Sequence, residues 1–232
     1  VCVASELTSP ALVSKFYDPE YEATHDNPDK DPYMAFEKDF MRFMLSDGAG
    51  AVLVQDYPEG ACPLKIEWVD MTSYANELPT CMFMASELQE DGRLKSWKEF
   101  SPNEIKERAV LVGKQDIRQL KKHIIKYWVD HIETILAKHH IKAEEIDYII
   151  PHVSSMFFYE KLNDEIAARN IALTKEKWFT NLTSVGNIGS AAIYVALEEL
   201  IRTKEIKRGQ KILLLVPESG RFSYGTVLLT VQ

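Results

Sequence analysis

The sequence predicts an α/β protein. In the second half, apolar strand-like runs alternate with segments whose apolar residues recur every three to four positions. Short turns rich in Gly, Asn and Pro separate the two kinds of run. Asp116 is a preferred N-cap type, and the helix predicted after it carries Ile117, Leu120, Ile124, Trp128, Ile132, Ile135 and Leu136 at helical spacing. Residues 146–151 read as a strand. Residues 154–170 read as a helix with Met156, Phe157, Leu162 and Ile166 for burial. Residues 178–181 read as a short strand and 187–203 as a helix rich in Ala and Leu. Two strands, 211–216 and 224–231, follow, linked through Pro217-Glu218-Ser219-Gly220-Arg221.

The first half is less regular. Residues 1–5 read as a buried strand, and 9–32 as a surface loop broken by Pro10, Pro19, Pro28 and Pro32. Residues 34–45 are helix-compatible and stop at Ser46-Asp47-Gly48-Ala49-Gly50. Residues 51–55 read as a short strand and 64–72 as its alternating partner, joined through 58–63. Residues 73–99 carry no clear pattern. The expected organisation is two halves, 1–95 and 96–232.

Strands alternating with helices imply a mostly parallel sheet covered on both faces. Ligands in such folds sit beyond the carboxyl ends of strands. His152 lies just past one strand end, Gly186-Asn187 past another, and Ser219-Gly220 past a third. All three are therefore expected on one edge of the sheet.

A His after an apolar strand, and an Asn in a Gly-flanked turn that opens an apolar helix, can aim two hydrogen-bond donors at one oxygen. Oxyanions formed in acyl transfer and decarboxylation need such donors. The nucleophile that would complete the set is not visible. Asn187 is equally suited to cap its helix, and the two roles are compatible.

The 232 residues carry a formal net charge of −8 and a pI near 5.3. That excludes a broad basic face for nucleic acid and gives no general attraction to an anionic membrane. Cys2, Cys62 and Cys81 are odd in number and lack metal-ligand spacing, which implies free thiols in a reducing, cytoplasmic compartment. No secretory signal and no bilayer-length apolar stretch are found. The chain opens on Val1-Cys2-Val3-Ala4, without an initiator Met, and is expected to be a piece of something longer.

Several short motifs then fall into a familiar order. Leu45-Ser46-Asp47-Gly48-Ala49-Gly50-Ala51 resembles a Phe-Gly-Asp-Gly-Ala-Gly-Ala segment. Pro151-His152 resembles the start of a Pro-His-Gln-Ala-Asn motif. Gly186-Asn187-Ile188-Gly189-Ser190-Ala191-Ala192 resembles Gly-Asn-Thr-Ser-Ala-Ala-Ser. Gly220 and residues 222–225 resemble a closing Gly-Gly-Gly-Phe-Thr-Trp-Gly turn. Together they resemble the C-terminal two-thirds of a β-ketoacyl-acyl-carrier-protein synthase III, a thiolase-fold condensing enzyme, over essentially the whole chain. Val1-Cys2-Val3-Ala4-Ser5-Glu6 then matches the strand after the nucleophile helix.

The resemblance implies a layered α-β-α-β-α fold, incomplete at the N-terminus. It implies acyltransferase chemistry of fatty-acid or polyketide type. An acyl thioester would load an upstream Cys absent from this chain and then join a malonyl-type or other acceptor. It gives His152 and Asn187 as the pair that stabilises the thioester oxygen during decarboxylation, and the Gly220 backbone N–H as an oxyanion donor. Cys2 falls within the strand and is expected to be a core thiol. No metal or organic redox cofactor is implied, because coenzyme A or phosphopantetheine arrives with the substrate. The implied partners are acyl-CoA, an acyl-carrier protein and a second copy of the chain.

The sequence departs from the family at Val153-Ser154-Ser155, where Ser155 replaces an Asn. Phe157 stands at a carrier-binding Arg. Glu218 precedes Ser219-Gly220-Arg221, which replace the triple Gly. These changes mark a divergent branch. They leave open a non-catalytic homologue that partners an active subunit, and a hydroxymethylglutaryl-CoA synthase-like enzyme. Glu218 is expected to pair with Arg221. Asp47-Gly48-Ala49-Gly50 is expected to be a packing turn, and His139-His140 to meet the helix dipole at the surface. Lys121, Lys122 and Lys126 are expected to form a solvated helix face.

Overall fold

The structure is a computed structural model that describes residues 1–13, 41 and 43–232. Strand β1 (Cys2–Glu6) pairs antiparallel with β2 (Gly48–Val52). Ser9–Leu12 form a 3-10 turn started by Pro10. Residues 41, 43 and 44 are helical. The rest of the helix expected over 34–45, and residues 14–32 of the expected loop, lie outside the described residues.

The expected burial of the first strand is corrected. Val1 is 83% and Val3 67% exposed, and Cys2 is an exposed thiol rather than a core one. The reason is topological: among the described residues β1 has β2 as its one strand neighbour, and no described strand or helix covers its outer side.

The next long strand, β3 (Leu64–Ser73), does not pair with β2. It joins a separate four-stranded sheet. Short elements fill the stretch where the sequence showed no pattern. They are β4 (Met82–Phe83), β5 (Ser86–Leu88), β6 (Leu94–Ser96), α1 (Pro102–Glu107) and β7 (Lys114–Gln115). Strand β4 pairs with β7, and β5 with β6. Ser101 and Glu104 form a capping box at the start of α1.

Helix α2 (Ile117–Lys138) begins where the sequence placed it. Asp116 accepts the Gln119 N–H at 2.9 Å, which satisfies one of the first-turn donors. Its end differs from expectation. His139 stacks on Trp68 at 4.0 Å between ring centroids, and its Nε2 lies 2.8 Å from Asp70 Oδ2. The Lys138 ammonium joins the same carboxylate, and these two hydrogen bonds lower the Asp70 pKa to about 2.

The remaining elements are β8 (Tyr148–Pro151), α3 (Met156–Ala168), α4 (Leu182–Val185), α5 (Ala192–Thr203), β9 (Lys211–Glu218) and β10 (Ser223–Val231). The main sheet runs β3-β10-β9-β8. It is mixed, not mostly parallel: β8 and β9 are parallel, and the other two pairings are antiparallel. The link between β9 and β10 is too short for a crossover, so β10 must return beside β9. The strand expected over 178–181 reduces to one parallel bridge between Ile149 and Trp178.

Alternation along the strands feeds two core layers. Leu213 and Leu215 of β9, with Tyr224 and Leu228 of β10, pack against Trp128, Ile132, Leu162 and Ile166 of α2 and α3. Ile212, Leu214, Leu229 and Val231 face the opposite way, toward Ala196 and Leu200 of α5. Helices thus cover both sheet faces, as the sequence predicted. In helix α3, Leu162 and Ile166 are buried as expected, but in its first turn Phe158 and Tyr159 are buried while Met156 and Phe157 are exposed.

His131 sits within the larger core at 0% exposure. Its Nδ1 lies 3.1 Å from Thr72 Oγ1, and its Nε2 2.9 Å from Thr226 Oγ1. A neutral imidazole satisfies both contacts by donating from one nitrogen and accepting at the other. Burial lowers its pKa from 6.5 to about 4.

The unfolded chain therefore takes up this proton before the native state does. The stabilisation is complete above pH 6.5 and is lost as pH falls toward 4. It is on the order of 3 kcal/mol. Urea midpoints measured from pH 7 to pH 4.5 should fall steadily for the native sequence, and His131→Gln should flatten that slope. His152, described next, and His123 are also held below their ordinary range by burial and contribute to the remainder.

Candidate active site

The site is assembled where β8 ends. Strand β8 is short and buried, and its parallel pairing with β9 carries on for one residue beyond Pro151: the His152 N–H donates to the Leu215 carbonyl at 2.8 Å. This fixes the backbone from which the imidazole projects. His152 lines a small, half-open cavity beyond the strand end. Asn187 lines the same cavity, with Gly186, Thr180, Asn181 and Ile193.

Asn187 is 6% exposed and held from several directions. Its backbone carbonyl accepts the Ser46 N–H at 2.9 Å, and its neighbour across an isolated parallel bridge is Leu45. Its Oδ1 accepts the Gly189 N–H at 3.2 Å. That contact settles the amide orientation and leaves Nδ2, with its two hydrogens, as the side chain's donor group.

Glycines on both sides permit this approach. A Cβ at Gly186 (φ +83°) would lie 2.7 Å from Ser46 Oγ. Gly48 and Gly50 of β2 face the same segment: a Cβ at Gly48 would meet Ile188 at 2.7 Å, and one at Gly50 would meet Tyr194 at 2.6 Å. Gly48 and Gly50 thus have the packing role expected of them, but as part of strand β2, which starts at Gly48 where a turn was expected and a strand only from residue 51. Asp47 adds a second fixture by accepting the Thr8 and Ser9 N–H groups at 2.7 and 2.9 Å.

Burial lowers the His152 pKa to about 4, and the nearby Glu6 carboxylate opposes that shift. At neutral pH the ring is therefore uncharged, with one N–H to donate. Glu6 is the residue that sequence reasoning missed. Its Oε1 accepts the Ser190 N–H at 3.0 Å, in the turn after Asn187. Its position at the end of the first strand carried no signal by itself. Two neutral donors on one cavity suit an oxygen that gains negative charge during reaction.

A family model described as 3-oxoacyl-acyl-carrier-protein (ACP) synthase III C terminal matches residues 136–231, the segment that contains both donors. Over that segment the chain is similar to the β-ketoacyl-acyl-carrier-protein synthase III family. The Clostridium perfringens enzyme of that name is 29% identical over 186 residues, 80% of this chain and 52% of its own length. The Clostridium acetobutylicum enzyme is 30% identical over 112 residues, 48% of this chain and 33% of its own. The chain thus spans about half or less of these relatives.

The solved synthase III of Aquifex aeolicus matches with a TM-score of 0.54 and 25% identity, over 80% of this chain and 50% of that one. A Xanthomonas campestris OleA structure matches with 0.62 and 15% identity, over 98% and 56%, which speaks to the fold alone. The fold is the thiolase-like α/β arrangement of these condensing enzymes.

Against the synthase III pattern, the third expected group lies apart. Gly220 is further along the sheet edge, beyond the end of β9, and is not among the cavity-lining residues. Its N–H is already donated to Glu218 Oε1, and its carbonyl accepts the Cys81 N–H at 2.9 Å. Glu218 Oε2 accepts the backbone N–H of Arg221 at 3.0 Å. The expected Glu218–Arg221 ion pair is not formed among the described residues; the carboxylate turns onto the Gly220 and Arg221 main-chain amides instead. Among the described residues no thiol lines the cavity. Cys81 is fully buried, with its Sγ 3.3 Å from the Asp116 carbonyl. Ser155, in place of the family Asn, sits at the start of α3 with its hydroxyl buried and unpartnered.

Two measurements check this geometry. Gly50→Ala should lower stability by about 1–3 kcal/mol in urea unfolding, because the added methyl must displace Tyr194. Imidazole NMR should show His152 uncharged from pH 8 down to about 5, with its titration centred near 4.

Proposed function

We propose that this chain is the C-terminal part of a condensing acyltransferase of fatty-acid or polyketide type. The reading assigns to it the half of the site that handles the extender thioester. One observation carries this: His152 and Asn187, 35 positions apart in sequence, line a single cavity at the carboxyl end of β8. The substrate is an acyl or malonyl thioester of coenzyme A or phosphopantetheine, and no metal or redox cofactor is needed. Acyl-CoA and an acyl-carrier protein are the proposed partners, in the cytoplasm. The acyl group rides on a Cys from outside this sequence.

In the reaction the bond between the malonyl carboxylate and its neighbouring carbon breaks. Carbon dioxide leaves, and the electron pair passes to the thioester oxygen. His152 donates one ring N–H and Asn187 its Nδ2 hydrogens to that oxygen. The resulting carbon nucleophile attacks the acyl thioester carbonyl, the acyl C–S bond breaks and the Cys thiolate leaves; when no acyl group is present the carbon takes a proton from water. A neutral imidazole serves here because it does not hand over its proton early.

The assay is malonyl-CoA decarboxylation to acetyl-CoA by the full-length protein. Asn187→Ala and His152→Ala should each lower kcat by about 10²–10³-fold. The double variant should lose little more, because both groups serve one oxygen. Activity unchanged in either variant rejects the reading.

A second reading has a specific observation behind it. The Gly220 N–H is satisfied by Glu218, which suits a non-catalytic homologue that supports an active subunit. Intact-protein mass spectrometry after incubation with acyl-CoAs separates the two: a mass gain on a Cys supports the enzyme, and its absence with every thioester supports the partner. In either case the exposed Val1 and Val3 of β1 offer an apolar face to a second copy. Val3→Glu should then shift the full-length protein toward monomer in sedimentation.

A further inference from the structure

Glu6 ends β1, and the two-stranded pairing sets it opposite Gly48. Its side chain crosses to the turn that follows Asn187. Oε1 accepts the Ser190 N–H at 3.0 Å, one of the amides left without a backbone acceptor where the 3-10 turn 189–191 runs into α5. Negative charge is favoured at such a terminus, and a hydrogen bond to a carboxylate is stronger than one to a neutral acceptor.

The fit is also steric. Gly189 has φ +54°, and a Cβ there would lie 2.5 Å from Glu6 Cγ and 2.6 Å from Cδ. Glu6 therefore occupies the space that the missing side chain of Gly189 leaves. The Gly189 N–H in turn donates to Asn187 Oδ1. A continuous path runs from a carboxylate on one sheet, through a glycine it presses against, to the amide that faces the cavity.

We infer that Glu6 is a positioning residue: its carboxylate holds the 189–190 turn from the β1 side and thereby fixes the carboxamide of Asn187. This deepens the decarboxylation reading above and rests on it for its functional consequence. Glu6 is half-buried, and its charge also acts on His152, opposing the effect of burial. The two roles separate by substitution. Glu6→Gln keeps an oxygen that can accept the Ser190 N–H but removes the charge. Glu6→Ala removes both, and Glu6→Asp keeps the charge on a stem too short to reach.

The experiment uses full-length protein with ¹⁵N labelling and malonyl-CoA as the probe. In Glu6→Ala and Glu6→Asp the Ser190 amide should exchange at least about tenfold faster, the loss expected for one charge-assisted hydrogen bond. The Asn187 side-chain amide signals should shift or broaden. In Glu6→Gln both should lie between the native and the Glu6→Ala values and nearer to native, because the acceptor is kept and only its charge is lost. In kinetics, Glu6→Ala should lower kcat for decarboxylation about tenfold or more with KM changed less than about twofold, because the defect is in a transition-state contact. Glu6→Gln should restore most of kcat.

Unchanged Ser190 exchange and Asn187 signals in Glu6→Ala would overturn the inference. So would Glu6→Gln failing as badly as Glu6→Ala, which would make the charge, not the acceptor, the operative feature. If the native protein releases no carbon dioxide from malonyl-CoA, the decarboxylation reading fails, while the exchange data still decide whether Glu6 holds the turn.

Discussion

The site depends on how closely residues 45–50 approach residues 186–194. Backbone lies against backbone there. Ser46 donates to the Asn187 carbonyl, and Leu45 bridges Asn187. Three glycines, 48, 50 and 186, leave no side chain where the partner segment already sits. A close-packed interior tolerates little displacement. An intruding methyl at any of these positions would force the 186–194 segment against residues 45–50 to shift, and so would disturb the seat of the Asn187 amide. The cavity is thus defined by contacts behind it as much as by the residues that line it.

The second support is the sheet itself. Strand β8 contributes four residues, yet its parallel pairing with β9 carries His152 to the sheet edge with its backbone still hydrogen-bonded. The alternation of β9 between the two core clusters keeps that edge rigid, because each face is filled by helices. The depressed pKa of His152 follows from the same enclosure. The burial that orders the ring also keeps it uncharged, so position and protonation state have a common cause.

The C-terminal half was legible in the sequence because its patterns are long and mutually consistent. The cap at Asp116, the helical spacing through Ile135 and the placement of His152 and Asn187 all survive in the structure. Sheet polarity was not legible, since alternation of elements does not reveal that β3 comes in from the first half to flank β10. The burial of residues 1–5 misled for a related reason. An apolar run signals a face that can be covered, not the presence of the cover. In helix α3 the expected Leu162 and Ile166 are buried, but the first turn buries Phe158 and Tyr159 in place of Met156 and Phe157, because periodicity alone does not choose between adjacent aromatic residues. Glu6 escaped notice because its partners, Gly189 and Ser190, are more than 180 residues away in sequence.

The turn after β9 shows what tethering does to an anion site. Glu218 satisfies two successive main-chain amides, those of Gly220 and Arg221, from within its own strand end. A group attached two or three residues away competes at an effective molarity that a diffusing oxygen rarely matches. Occupancy of this turn by any outside guest is therefore governed by the residue at 218 more than by the glycine that supplies the amide.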